Sequence, residues 1–358
     1  MPIRTFRKID TFRRLGLGLA SLLPPPATPT DLSATVISTS RIDLAWTDNA
    51  TTETEQRVYR STDGVSYSLI DTIAADLETY SDTTITAGVY YRYKVGAANV
   101  GGEALSDAAE SVITALDQLP GLVAWYDASD LTTQLQASGG AAVTANNDPV
   151  GYVADKSGNG YHISQATAGN KFTLKTNVLG GESVWQLDGA DFLSAANVPL
   201  STFTVFLVFR ASTGYLVYEH GANVNTNDGF YLNATVNATL ATKRGGAAGY
   251  SQWNLTAGWG HDNTWRIAEH FMNGTHLTHG LTLNGVDQTL TPQGGGGESD
   301  PGSSTLTANL YIGARSNGTI GITGQLAEIA FFSPYLSVAN RARVRQYLNT
   351  KWGGGFLA

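Results

Sequence analysis

Tyr250, Trp253, Trp259 and Trp265 crowd a segment otherwise built of Gly, Ala, Ser and Asn, starting at Gly245. Flat indole faces stack on the apolar faces of sugar rings, and Asn254, His261 and Asp262 beside them offer donors and acceptors for hydroxyls. The chemistry this points to is carbohydrate contact by Tyr250, Trp253, Asn254, Trp259, His261 and Asp262, carried on a loop rather than a strand. Burial of these tryptophans in a large core is the competing reading.

Other residues that could do chemistry give weaker patterns. Glu269 and Glu328 each stand alone on an apolar stretch, whereas a glycosidase needs two carboxylates flanking the scissile bond; a hydrogen-bonded structural carboxylate is the expectation for both. No Gly-x-Ser-x-Gly nucleophile signature and no Gly-x-x-x-x-Gly-Lys phosphate loop occurs, so the commonest hydrolase and nucleotide-binding classes find no support. His261, His270, His276 and His279 fall within twenty residues, but His276 and His279 lie in a Gly/Thr-rich stretch without a Cys or Glu at zinc-ligand spacing, and surface or turn positions are expected. Asp155-Lys-Ser-Gly-Asn-Gly160 offers oxygens that would suit calcium, yet it lacks the paired acids of a strong loop. Its Asp and Asn are expected to bond the backbone in a structural turn, and no metal or other cofactor is assigned.

These residues need a scaffold, and composition constrains it. The 358 residues suggest two domains. Charged residues are 15% of the chain and glycines number 40, so Thr, Ser, Asn and Gly make much of the surface. The net charge of −8 is spread thinly, with no basic stripe for a nucleic-acid backbone. Cysteine is absent, which removes disulfides and thiolate sites. No apolar run reaches the ~18 residues of a membrane span.

Residues 1–26 differ from the rest. Arg4, Arg7, Lys8, Arg13 and Arg14 precede Leu15-Gly-Leu-Gly-Leu-Ala-Ser-Leu-Leu23 and Pro24-Pro-Pro26. This imitates an export signal, but the apolar core before Gly18-Leu-Ala20 is shorter than the usual ~7 residues. Phe6, Ile9, Phe12 and Leu15 recur at near-helical spacing. Docked in a partner's groove they would contribute roughly 1.5 to 3 kcal/mol each. The segment is therefore expected to anchor the chain through Phe6, Ile9, Phe12, Arg13, Arg14 and Leu15, with the prolines as a stiff spacer.

From 27 to 116 the sequence reads as short alternating strands. Ile42, Leu44 and Trp46 share one face, Asp63-Gly64 marks a hairpin turn, and Tyr91, Tyr93, Val95 and Ala97 alternate inward. Beyond 117, strands are expected at 122–126, 184–188, 203–210, 229–234, 264–272, 281–284, 308–313 and 325–332. Ser337 is expected to cap a helix to about Thr350, with Val344 and Leu348 facing the sheet and Arg341, Arg343 and Arg345 on its solvated face.

Residues 27–116 resemble a fibronectin type III domain. Trp46 matches the family's buried tryptophan, Ile85-x-x-x-x-x-Tyr91 its tyrosine corner, and Ala97-Ala-Asn-Val-Gly-Gly102 the turn after its sixth strand. Residues 117–358 resemble the laminin-G-like, concanavalin-like lectin fold through Leu122–Asp130, Asp155–His162, Trp185–Leu193, Phe203–Arg210 and the ending Leu348-Asn-Thr-Lys-Trp-Gly353. The resemblance implies an all-β chain, a fibronectin type III sandwich followed by a concanavalin-like jelly-roll sandwich with a C-terminal helix. It also implies a non-enzymatic accessory protein on the surface of a bacteriophage virion. Residues 1–26 would hold a head or tail protein, the distal sandwich would bind host cell-surface polysaccharide, and copies could assemble as a homo-oligomer. Neither nucleic acid nor membrane is an expected partner. The alternative is a secreted or cell-surface bacterial adhesin or carbohydrate-binding protein.

Overall fold

The computed structural model describes residues 23–221, 229–234, 239–243, 251–255, 262–274, 279–292, 305–315 and 317–357. The anchor residues Phe6, Ile9, Phe12, Arg13, Arg14 and Leu15 lie outside them. The chain forms two compact units that divide between Thr114 and Ala115.

In the first unit, Thr30–Ser38, Arg41–Thr47 and Thr79–Asp82 pair antiparallel. Facing them are Ser68–Ala74, Glu55–Ser61, Arg92–Asn99 and Gly102–Leu105. Ala109–Val112 joins the two groups, running antiparallel to Arg92–Asn99 and parallel to Thr30–Ser38. Alternation puts Ile42, Leu44, Trp46, Val58, Tyr93, Val95 and Ala97 in the core. The Tyr91 hydroxyl accepts the backbone N–H of Thr86 at 3.0 Å, the bond that defines a tyrosine corner. Tyr93 donates to the fully buried Asp82 carboxylate at 2.9 Å and Arg60 does so at 2.8 Å. The unit is a fibronectin type III-like β-sandwich. Its hairpin at Asp63-Gly64 is wider than a two-residue turn: the strands end at Ser61 and resume at Ser68, and the Asp63 carboxylate accepts the N–H groups of Val65 and Ser66.

The second unit is built on two antiparallel sheets. One runs Gln134–Leu135, Tyr152–Val153, Ile163–Ser164, Leu193–Leu200, Leu306–Ile312, Leu216–His220, Gly229–Asn233, Thr239–Lys243, Ser251–Leu255 and Leu290–Pro292. The other runs Pro149–Val150, Phe172–Leu179, Glu182–Asp188, Ile322–Phe332, Phe203–Gly214, Arg266–Met272, His279–Leu283 and Val286–Asp287, with Leu122–Asp127 also paired to Ile322–Phe332. Val205, Leu207, Phe209, Leu326, Ile329 and Phe331 belong to the core cluster shared with Val198, Tyr218, Phe230 and Leu310 of the first sheet.

The run Phe203-Thr-Val-Phe-Leu-Val-Phe209 shows no polar alternation because both of its faces are covered. Its second face lies under the helix Val338–Lys351. Ser337 caps that helix by accepting the Asn340 N–H at 3.3 Å. Val344 and Leu348 are fully buried, which stabilises the docking by roughly 1.5 to 3 kcal/mol each.

The arginine expectation needs correction. Arg341 and Arg343 are buried rather than solvated, and Arg345 reaches down to the sheet. Arg341 lies i−3 and i−7 from Val344 and Leu348, and Arg345 lies i−3 from Leu348, so both share the apolar stripe.

Candidate functional site

The aromatic segment is only partly described. Tyr250, Trp259 and His261 lie outside the described residues, so Trp253, Asn254 and Asp262 are the members whose surroundings are known. Ser251–Leu255 is a strand, which corrects the loop expectation for these five residues. It pairs with Thr239–Lys243 on one side and Leu290–Pro292 on the other. Trp253 and the buried Leu255 stand two apart on one face, and Trp253 packs half-buried against the core cluster beside Leu290. Asn254, between them, takes the opposite face.

Asp262 is exposed, but Arg266 holds it: the guanidinium donates to both carboxylate oxygens, at 2.8 and 2.6 Å, and the Thr264 N–H adds a third bond. The Arg266 bonds, with the Thr264 N–H behind them, hold the Asp262 carboxyl far below the usual carboxylate range. A sugar hydroxyl at Asp262 would therefore share a carboxylate that is already engaged. Trp265, which the segment also contains, carries Arg210 over its ring at 5.2 Å.

Glu269 and Glu328, the carboxylates weighed for an acid–base role, are built into the scaffold. Glu269 faces the helix and is clasped by Arg341 and Arg345, whose guanidinium groups take one oxygen each. Glu328 accepts the indole N–H of Trp125 at 2.6 Å, that of Trp352 at 2.7 Å and the Lys351 ammonium at 2.8 Å. Lys351 bridges onward to Asp127 at 2.7 Å, and Lys156 joins Asp127 to Asp130. Burial pushes the Glu328 carboxyl up against the opposing pull of Lys351. At Asp127 burial acts the same way, but Lys351 and Lys156 outweigh it and hold the carboxyl low. One ammonium thus draws Asp127 and Glu328 together, on register-paired positions of neighbouring strands. Both are buried and neutralised rather than open to a sugar. The structural expectation for Glu269 and Glu328 is what the packing shows.

The Asp155 loop is a structural turn. One Asp155 oxygen accepts the N–H groups of Trp125 and Ser157, both at 2.9 Å, and the other accepts the Ser157 hydroxyl at 2.7 Å and the Tyr161 N–H at 3.0 Å. Asn159 donates to the carbonyls of Leu122 and Val123. Both oxygens of the Asp155 carboxylate are thus directed at two donors each.

Two histidines depart from the surface expectation. His270 is fully buried, its Nδ1 2.5 Å from the Tyr218 hydroxyl, and its Nε2 lies 3.4 Å from Nδ1 of the nearly buried His279. Burial, and then the neighbouring His279, push His270 well below the usual histidine range, so the ring is neutral. His261 and His276 lie outside the described residues.

The sequence reading missed an acidic group in the first unit. Ligand oxygens of Asp48, Glu53 and Asp76 lie within 4.8 Å of one another. Asp48 and Glu53 stand five apart around one strand connection and would have been legible; Asp76 enters from a different turn, and its approach has no sequence signal.

No protein-family model matches this chain, and no curated protein does. Among solved structures, a Fn3-like protein from Clostridium thermocellum is similar at 34% identity over 25% of this chain and 96% of that one, with a TM-score of 0.23. A structure named FN3tt is similar at 15% identity over 23% of this chain and 94% of that one, TM-score 0.20. The pectate lyase Pel3 from Pectobacterium carotovorum matches at 21% identity over 31% of this chain, TM-score 0.23, and the match spans 32% of the lyase.

Proposed function

We propose that this chain is a bacteriophage virion accessory protein. In this reading residues 1–26 dock on a head or tail protein, the fibronectin type III-like unit is a spacer, and the second unit is a lectin-like domain that contacts host surface glycans. The observation that carries it is the treatment of the carboxylates in the second unit. Glu269, Glu328 and Asp127 are buried and neutralised by Arg341, Arg345, Lys351 and Lys156, so they hold a sandwich in shape instead of serving as acid and base. A shape-holding sandwich is suited to binding and display. Weak single sites suffice for such a role, because many copies on one particle raise avidity. Trp253, Asn254 and Asp262 are the described residues of the proposed sugar contact, with Tyr250, Trp259 and His261 nearby in sequence.

A second reading rests on Arg13-Arg14 followed by Leu15–Leu23, which imitates an export signal; it makes the protein a secreted or cell-surface bacterial adhesin. Peptide mass spectrometry of purified particles separates the two. Tryptic peptides from residues 1–14 together with peptides from the second unit, at stoichiometric levels, support the virion reading. Recovery only from supernatant or envelope, with an N-terminus near Ser21 or Pro24, refutes it in favour of export.

A further inference from the structure

Two lysines converge on one buried carboxylate in the second unit. Asp127 is 2% exposed, and its Oδ2 lies 2.7 Å from Lys351 Nζ and 2.8 Å from Lys156 Nζ. Its Oδ1 accepts the Ser129 hydroxyl at 2.6 Å and the Ser129 N–H at 3.0 Å. Lys351 reaches a second buried carboxyl as well, Glu328 at 2.8 Å. Glu328 stands opposite Asp127 in the register of neighbouring strands, fixed by the indole N–H groups of Trp125 and Trp352. The Lys351 ammonium also lies over the Trp352 ring, 5.0 Å from its centre. An amine, a carboxyl group to attack and a second carboxyl to carry protons are thus in contact inside an aromatic wall.

In water an ammonium and a carboxylate persist as ions because hydration favours them over the amide and water they could form. Burial removes that hydration, so the balance shifts toward the neutral products. Contact alone does not distinguish the two lysines, but the second carboxyl does. Among the described residues, Lys156 is paired with Asp127 and with the partly exposed Asp130, whereas Lys351 touches Glu328. Burial raises the proton affinity of Glu328, which suits a group that must take up a proton and give it back.

We propose that Lys351 and Asp127 form an intramolecular amide cross-link, a self-modification of the folded chain in which Glu328 carries the proton. Lys351 Nζ gives one proton to Oδ2 of Asp127, and its freed lone pair attacks Cγ. The negative charge that develops on Oδ1 is held by the Ser129 hydroxyl and N–H, as in an oxyanion hole. Glu328 takes a second proton from the attacking nitrogen and returns it to Oδ2, which leaves as water beside the Lys156 ammonium. The N–C bond forms and the C–O bond breaks. The three ammonium hydrogens end as one amide N–H and two water hydrogens, and Glu328 regains its starting state. The opposite charges of the pair vanish together, while Lys156 keeps Asp130 as its partner.

The link joins the strand Leu122–Asp127 to the end of the helix Val338–Lys351. It restrains the unfolded chain as a disulfide would, in a sequence that has no cysteine. This inference is independent of what the second unit binds.

The test is intact-mass and tandem mass spectrometry of the full chain, purified folded and then denatured. The expected result is a wild-type chain lighter by one water than its sequence, counted with or without Met1. Its digest contains a peptide joining Asp127 to Lys351, and trypsin does not cut after Lys351. Lys351→Arg and Glu328→Gln should both retain the full mass, with circular dichroism checking that each is folded. A wild-type chain of full mass that is cleaved after Lys351 overturns the proposal. A link from Asp127 to Lys156, or a link that persists in Glu328→Gln, overturns it as well.

Discussion

Asp191→Asn should make the protein more stable, and only at neutral and alkaline pH. Asp191 is 5% exposed and sits in the turn Asp188-Gly-Ala-Asp191, where its carboxylate accepts the Asp188 N–H at 3.0 Å and faces the Asp188 carboxylate. Burial, then the Asp188 charge, pushes the Asp191 carboxyl up from 3.8 to about 7. A raised carboxyl binds a proton in the folded state that the unfolded chain has already lost. Its stabilisation is therefore full below about pH 4 and declines as pH rises to about 7, leaving a buried charge above that. Three pKa units correspond to about 4 kcal/mol, and halving this for solvent screening leaves about 2 kcal/mol.

Asparagine keeps the acceptor for the Asp188 N–H, offers an N–H to the Asp188 carboxylate and never ionises. Denaturant unfolding of wild type and variant at several pH values checks this. Near pH 8 the variant gains about 2 kcal/mol, or about 4 to 8 °C in the melting of the second unit, and near pH 4 the difference vanishes. Titrating groups that do not touch Asp191 cancel in the comparison. A variant that is destabilised at pH 8, or whose difference does not change with pH, refutes the reasoning.

Two further outcomes follow from the buried charges of the second unit. Glu269→Gln leaves Arg341 and Arg345 without their counter-charge and should cost about 3 to 5 kcal/mol in urea unfolding, whereas replacing all three residues by apolar ones of similar size should recover most of it. His270 stays neutral when folded. Its depressed pKa makes the protein lose about 1.4 kcal/mol per pH unit as pH falls below about 6.5, and His270→Asn, which keeps an acceptor for Tyr218, should flatten that acid limb in pH-dependent melting.

Much of the scaffold was legible. The strands Phe203–Gly214 and Ile322–Phe332 extend the expected 203–210 and 325–332, and the helix ends one residue beyond expectation. These elements carry long apolar runs or a clear cap. Leu193–Leu200 escaped because its alternation breaks: a register shift lies between Ala195 and Val198, with Asn197 at φ 55°, so the inward positions do not keep period two. Leu216–His220 escaped because all five residues are buried, Glu219 and His220 among them, and no outward polar position marks a strand.

The arginines of the helix were misplaced for a related reason. Residue type suggests solvent, while position on the helix puts Arg341 and Arg345 on the buried stripe, and position decided. Among the residues proposed for sugar contact, Trp253 was expected on a loop and lies on a strand: its alternation with Leu255 was visible, but the surrounding Gly and Ser argued for loop.

The measurement that tests the binding-not-catalysis account most directly is incubation of the full chain with host surface polysaccharide, reading both co-sedimentation and the release of reducing ends. The account predicts that the protein is retained on the polysaccharide, that retention falls in Asn254→Ala, and that no reducing ends appear over time. Time-dependent release of reducing ends, or of unsaturated products, would contradict it.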